Sequence, residues 1–111
     1  MFKDLREFLA KLEEEGQLVY YKDEVMPEPE VRLISRAACD MGSGTAPAVV
    51  MDNIKGYKGQ KLAVNVHGSW ANHALMFGMP KNTSLKDQFF ELNRRWDNYP
   101  NGKVEWVESD K

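Results

Sequence analysis

Apolar residues recur along this chain with two periods, one helical and one extended. Between residues 4 and 15, Leu5, Phe8, Leu9 and Leu12 fall at i, i+3, i+4 and i+7, the spacing that lines one face of an α-helix. Asp4 is placed to cap the amides of the first turn, and Gly16 to take the left-handed conformation beyond the last. Glu13, Glu14 and Glu15 lie at the wrong end for the helix dipole and read as a solvated run costing roughly a few tenths of a kcal/mol. Gln17 to Lys22, with Leu18, Val19, Tyr20 and Tyr21 in a row, predicts a strand. Pro27 and Pro29 stop extended pairing and suit the opening of a second helix that runs to about Met41. Its apolar stripe is Val31, Ile34, Ala37, Ala38 and Met41, and Gly42 ends it.

Gly42 to Pro47 is a loop by composition and lacks the Lys-Ser/Thr pair of a phosphate-binding loop. Ala48 to Met51 predicts a short buried strand, residues 52–60 a turn around Tyr57, and Leu62 to Val66 another strand with Leu62, Val64 and Val66 alternating. Trp70 to Phe77 predicts a short helix capped by Ser69 and ended by Gly78 and Pro80. Ser84-Leu85-Lys86-Asp87 matches a capping box, and the helix it opens carries Leu85, Phe89, Leu92 and Trp96 as its stripe. Tyr99-Pro100-Asn101-Gly102 breaks that helix, Lys103 to Val107 predicts a final strand, and a polar tail follows. Helices and strands interleave through short connections. The pattern predicts an α/β domain (α+β possible) with a small sheet covered by about three to four helices in a single layered unit. Strand order is not encoded in it.

Composition narrows the function classes. A length of 111 residues allows one domain. The 15 basic and 17 acidic residues give a net charge of −2 and are mixed along the chain, so no basic stripe points to nucleic acid. No apolar run is long enough to span a bilayer, and charges interrupt the first residues too early for a signal peptide. The single cysteine, Cys39, excludes an internal disulfide and a multi-cysteine zinc site. A cytoplasmic protein fits these features.

Candidate chemistry is sparse. His67 and His73 flank a turn with Asn65 and Asn72 nearby. Their spacing matches no common metal-ligand pattern, and a general base would need an orienting partner. Cys39 lies near the C-terminal end of its helix, where the dipole disfavours a thiolate, and beside the apolar stripe; a buried, inert thiol is expected. Ser69 lacks the Gly-x-Ser-x-Gly context of a nucleophile elbow, so capping is its expected role. Arg94 and Arg95 complement the helix dipole, or one of them docks against a carboxylate or another domain. Of Trp70, Trp96 and Trp106, two are expected in the core and one at an interface. Read alone, these residues contain no convincing active site.

Several segments in order nevertheless resemble one family. They are Asp4 to Leu9 with Glu15 to Leu18, Pro27 to Glu30, Ala46 to Val49, Asn53 to Tyr57, Asn65 to Pro80, Gln88 to Leu92 and Arg94 to Pro100. Together they resemble the amino-terminal region of the UbiD-like decarboxylases, and the Asn65 to Pro80 stretch points to the C subunit of the bacterial hydroxyarylic (phenolic) acid decarboxylases of the vanillate and 4-hydroxybenzoate type. The resemblance implies reversible, non-oxidative decarboxylation of an aromatic acid. It implies prenylated FMN as electron sink, with a divalent metal (usually Mn2+) and K+, a companion flavin prenyltransferase and a homo-oligomer. It places the catalytic Arg and Glu residues in a split-barrel flavin domain beyond the matched region, so no catalytic, cofactor-binding or metal residue is carried over. Residues 1–100 are expected to be the amino-terminal domain, and 101–111 the junction toward that absent flavin domain. Such a piece is expected to be inactive alone, its partners being the remaining domains of the same enzyme. Asn65, His67, Ser69 and Trp70 are the candidates for contacts between the domains. The alternative is a free-standing, non-catalytic interaction module of the same fold.

Overall fold

The structure, a computed structural model, describes residues 2–42, 44–98 and 107–109. The elements run α1 (Leu5–Glu14), β1 (Leu18–Tyr21), α2 (Glu30–Asp40), β2 (Ala48–Met51), β3 (Leu62–Val64), α3 (Trp70–Met76) and α4 (Leu85–Asp97). The strands form one sheet in the order β1-β2-β3. β1 pairs parallel to β2, with Leu18 opposite Ala48 and Tyr21 opposite Met51. β3 returns antiparallel, with Val64 opposite Val49 and Leu62 opposite Met51. A bridge between Val25 and Ile54 continues the parallel pairing past the strand ends. This is the small α/β sheet with helical cover that the apolar pattern predicts.

The central strand explains why Ala48-Val49-Val50-Met51 has no polar position. Successive side chains point to opposite faces of a sheet, and a strand covered on both faces reads as an unbroken apolar run. Ala48 packs with Phe8, Leu12 and Leu75, so α1 and α3 lie on one face. Val49 and Met51 pack with Val25 and Ala38, backed by Val31 and Ile34, so α2 lies on the other.

The helix ends carry the predicted caps. Asp4 accepts from the Glu7 amide at 3.0 Å, Ser69 from Asn72 at 3.1 Å and Ser84 from Asp87 at 3.1 Å. In the acidic run at the end of α1, Glu13 and Glu14 are exposed as expected, and surface lysines pair with its last two residues. Lys11 pairs with Glu14 at 3.1 Å and Glu15 at 2.8 Å, and Lys81 donates to the Glu15 carbonyl at 2.9 Å. Lys11 in turn holds the Glu15 carboxyl below its ordinary pKa.

Four expectations need correction. Cys39 is exposed rather than buried. α2 meets the sheet through Val31, Ile34 and Ala38, and one residue beyond Ala38 turns Cys39 about 100° away from it. The same geometry leaves Ala37 outside, and Met41 lies beyond the covering part of the helix. A thiol reagent is therefore expected to titrate Cys39 in the native protein without denaturant; a thiol that reacts only after unfolding would show the helix to be rotated. Second, β3 ends at Val64, two residues early, because the backbone turns at Asn65. Third, the Leu85-Phe89-Leu92-Trp96 stripe does not face the core: Phe89 is 61% and Trp96 78% exposed. Fourth, neither Trp70 nor Trp96 is a core residue. Trp106, most of the predicted final strand from Lys103 to Val107, and the break at Tyr99 to Gly102 lie outside the described residues.

Candidate functional site

The chain from Asn65 to Pro80 is a knot of side-chain bonds to backbone. Asn65 takes a left-handed φ of 53°, a conformation asparagine tolerates better than most residues. Its Nδ2 donates to the Pro47 carbonyl at 2.9 Å, tying the end of β3 to the start of β2. The Gly68 amide closes the turn by donating to the Asn65 carbonyl at 3.0 Å. Asn72 Nδ2 donates to the Val66 carbonyl at 3.1 Å and locks the turn onto α3. Asn72 is fully buried, and its Oδ1 has no partner among the described residues.

α4 is fastened to this unit by its polar side. Gln88 is 1% exposed. Its Nε2 donates to the carbonyls of Trp70 and Thr83, both at 3.0 Å. That fixes the carboxamide orientation, so Oε1 is the atom 2.8 Å from His73 Nδ1. An amide oxygen only accepts, hence His73 donates from Nδ1. The imidazole stands edge-on between Trp70 and Phe77, with ring centres 5.6 and 5.0 Å away. At the other end of α4, Arg95 donates to the Phe77 carbonyl at 2.7 Å.

The inter-domain candidates divide into two kinds. Ser69 is 2% exposed and its hydroxyl is occupied as a cap, while Asn65 is half-buried and bonded to Pro47. His67 is exposed and stacks on Phe8 at 5.6 Å; Trp70 is 43% exposed. The first pair shapes the turn and the second is presented by it. Gln88 is the residue that sequence reasoning passed over. Its signal is a second helical stripe, Gln88, Glu91 and Arg95 at i, i+3 and i+7, which is the inward face, with half-buried Leu92 on the border between the two stripes.

Arg94 and Arg95 both meet Glu91, at 2.7 and 2.9 Å. Their guanidinium groups draw the Glu91 carboxyl down to a pKa of about 2. A depressed acid contributes stability that is complete above its ordinary value near 4.5 and is lost as pH falls toward about 2. Glu91→Gln should therefore melt below the wild type at neutral pH and converge with it near pH 2. A gap that stays constant from pH 7 to pH 2 would show the carboxylate charge to be irrelevant.

This geometry binds and orients backbone, and among the described residues of the site no nucleophile is paired with a base. Among the described residues, no three His, Cys, Asp or Glu side chains converge as a metal site. An open trough of about 790 Å³ lies between α1 and the sheet, lined in part by Arg6, Glu13, Tyr20 and Lys61. No described helix is long and apolar enough to cross a membrane.

Comparison with known proteins decides the family. Residues 9–92 match the 3-octaprenyl-4-hydroxybenzoate carboxy-lyase N-terminal domain. The chain belongs to this carboxy-lyase family. It is 59% identical over 100 residues to the phenolic acid decarboxylase of Sedimentibacter hydroxybenzoicus, covering 90% of this chain and 20% of that protein. It is 50% identical over 99 residues to the phenolic acid decarboxylase of Bacillus subtilis, covering 89% of this chain and 21% of the relative. Among solved structures, the S. hydroxybenzoicus vanillic acid decarboxylase in closed form matches with a TM-score of 0.85 at 59% identity, over 90% of this chain and 21% of that one. Its open form matches with a TM-score of 0.82 at 60% identity, over 86% of this chain and 20% of that one. This carboxy-lyase domain thus spans about a fifth of the length of the relatives it matches, and its fold is alike in their open and closed forms.

Proposed function

We propose that this carboxy-lyase domain is the amino-terminal scaffold of a non-oxidative hydroxyarylic acid decarboxylase, with the reactive machinery in the rest of the polypeptide. The observation that carries the reading is 59% identity to a phenolic acid decarboxylase across a domain that makes up only 20% of that relative. The described residues support it, because Asn65, Ser69, Asn72 and Gln88 are engaged in holding the turn and α4 in place. Residues 1–100 form the domain and 101–111 join it to a flavin-binding domain.

Prenylated FMN, with Mn2+ and K+, would supply the electron sink for loss of CO2 from an aromatic acid. The described residues offer no metal set for it, so no step is assigned to them. Their part is placement. His67 and Trp70 face the neighbouring domain, and Asn65 and Ser69 hold the turn that presents them. The enzyme works as a cytoplasmic homo-oligomer.

The test compares two polypeptides produced with a flavin prenyltransferase. The 111-residue chain should purify colourless and release no CO2 from vanillate or 4-hydroxybenzoate. The chain continued through its flavin-binding region should hold flavin and release CO2. A yellow, active 111-residue chain would overturn the scaffold reading, and a continued chain that holds flavin but attacks no aromatic acid would overturn the substrate class. In the continued enzyme, His67→Ala with Trp70→Ala should lower flavin retention or turnover; unchanged values would remove those residues from the interface.

A further inference from the structure

The polar stripe of α4 is turned inward and the apolar stripe outward, the reverse of the usual arrangement of a surface helix. Leu85, Phe89, Leu92 and Trp96 recur at intervals of four, three and four residues, the spacing of a helix seam that receives another element. Phe89 and Trp96 are largely exposed, Leu85 is exposed, and Phe90 stands beside them with its ring centre 5.9 Å from that of Phe89. Lys86 and Asp97 flank the seam with charge.

The helix cannot roll over to bury this seam. Doing so would pull Gln88 off the carbonyls of Trp70 and Thr83 and Arg95 off that of Phe77. Each buried polar group so left without a partner costs on the order of 1–3 kcal/mol. The exposed seam is therefore fixed by the fold and is available for binding. A contiguous exposed surface with two phenylalanines and a tryptophan marks an interface in proteins of this size.

We infer that the α4 seam is the face on which the carboxy-terminal remainder of the same polypeptide docks, through an apolar surface that receives Phe89 and Trp96. The length of the relatives argues for that occupant. The domain accounts for 20% of the S. hydroxybenzoicus decarboxylase, so about four-fifths of such a chain lies outside it. The family match ends at Leu92, within α4, so this helix leads out of the matched region toward the part of the polypeptide that follows. The inference rests on the decarboxylase reading above and adds a second contact face to the His67–Trp70 surface.

Hydroxyl-radical footprinting of the continued polypeptide tests it, native against urea-unfolded, with buried Phe8 as internal standard. Phe89 and Trp96 should be protected nearly as strongly as Phe8, at every protein concentration. Oxidation close to the unfolded rate would overturn the inference. Protection that disappears on dilution would also overturn it, by assigning the seam to a second copy of the chain. Flavin content and CO2 release are measured on the same preparation. An active enzyme with an unprotected seam overturns the docking alone, whereas a protected seam on an inactive, flavin-free polypeptide overturns the decarboxylase reading alone.

Discussion

Gln88→Leu is expected to destabilise this domain by about 2–3 kcal/mol and to lower its melting midpoint by roughly 10–20 °C. Leucine fits the space and is itself well suited to burial at a site that is 1% exposed. The loss comes from the groups left behind. The carbonyls of Trp70 and Thr83 lose their donor, and His73 Nδ1–H loses its acceptor. A fully buried group without a partner costs on the order of 1–3 kcal/mol, and because these three bonds are part-buried the total stays below the sum. Gln88→Glu separates hydrogen bonding from packing. It keeps the shape and can still accept from His73, but an ionised carboxylate cannot donate to two carbonyls and resists burial. Its deficit should shrink in mild acid, where a protonated carboxyl regains one donor. Urea denaturation reads both variants. A Gln88→Leu loss under about 0.5 kcal/mol would show the bonds to be ornamental to stability.

Much of the architecture is legible in the sequence, and where it fails the reason is local. α1 announces itself through Phe8 and Leu12 with Asp4 as cap, and both apolar residues are core. β2 announces itself as a run without polar positions because the sheet is covered twice. In α4 the hydrophobic period gives the right element and the wrong face. The residues between the apolar positions form their own helical stripe, and the bonds Gln88 and Arg95 make to α3 select it. Periodicity ranks faces by hydrophobicity, so it cannot see that a polar face is needed to satisfy carbonyls elsewhere. Cys39 shows the same limit more mildly, since one residue of rotation separates it from buried Ala38. At the candidate site, the turn, the cap and the special position of Asn65 to Pro80 are readable. The pairing of His73 with Gln88 is not, because it joins residues from two helices and their approach is a product of packing. The family was legible from ordered short segments, none of which carries chemistry by itself.

Gly68→Ala is expected to cost about 1–2 kcal/mol, although the same change at an unconstrained site stabilises by about 0.4–1 kcal/mol through the unfolded chain. The sign is set by Asn65. A methyl group at Gly68 would overlap the Asn65 carboxamide at Nδ2, Cγ and Oδ1. That carboxamide cannot swing clear without giving up the Pro47 carbonyl, the bond that ties β3 to β2. Asn65→Gly provides the control. Glycine accepts the φ of 53° freely and removes the overlapping atoms, at the expense of the Pro47 bond alone. In the Asn65→Gly background, Gly68→Ala should be neutral or slightly stabilising, so a double-mutant cycle should return a coupling of about 1–2 kcal/mol. Costs that simply add would mean that the methyl group strains some other contact. Coupling of the expected size would identify the turn ahead of α3 as a two-residue lock, in which the glycine is required by the asparagine rather than by its own backbone.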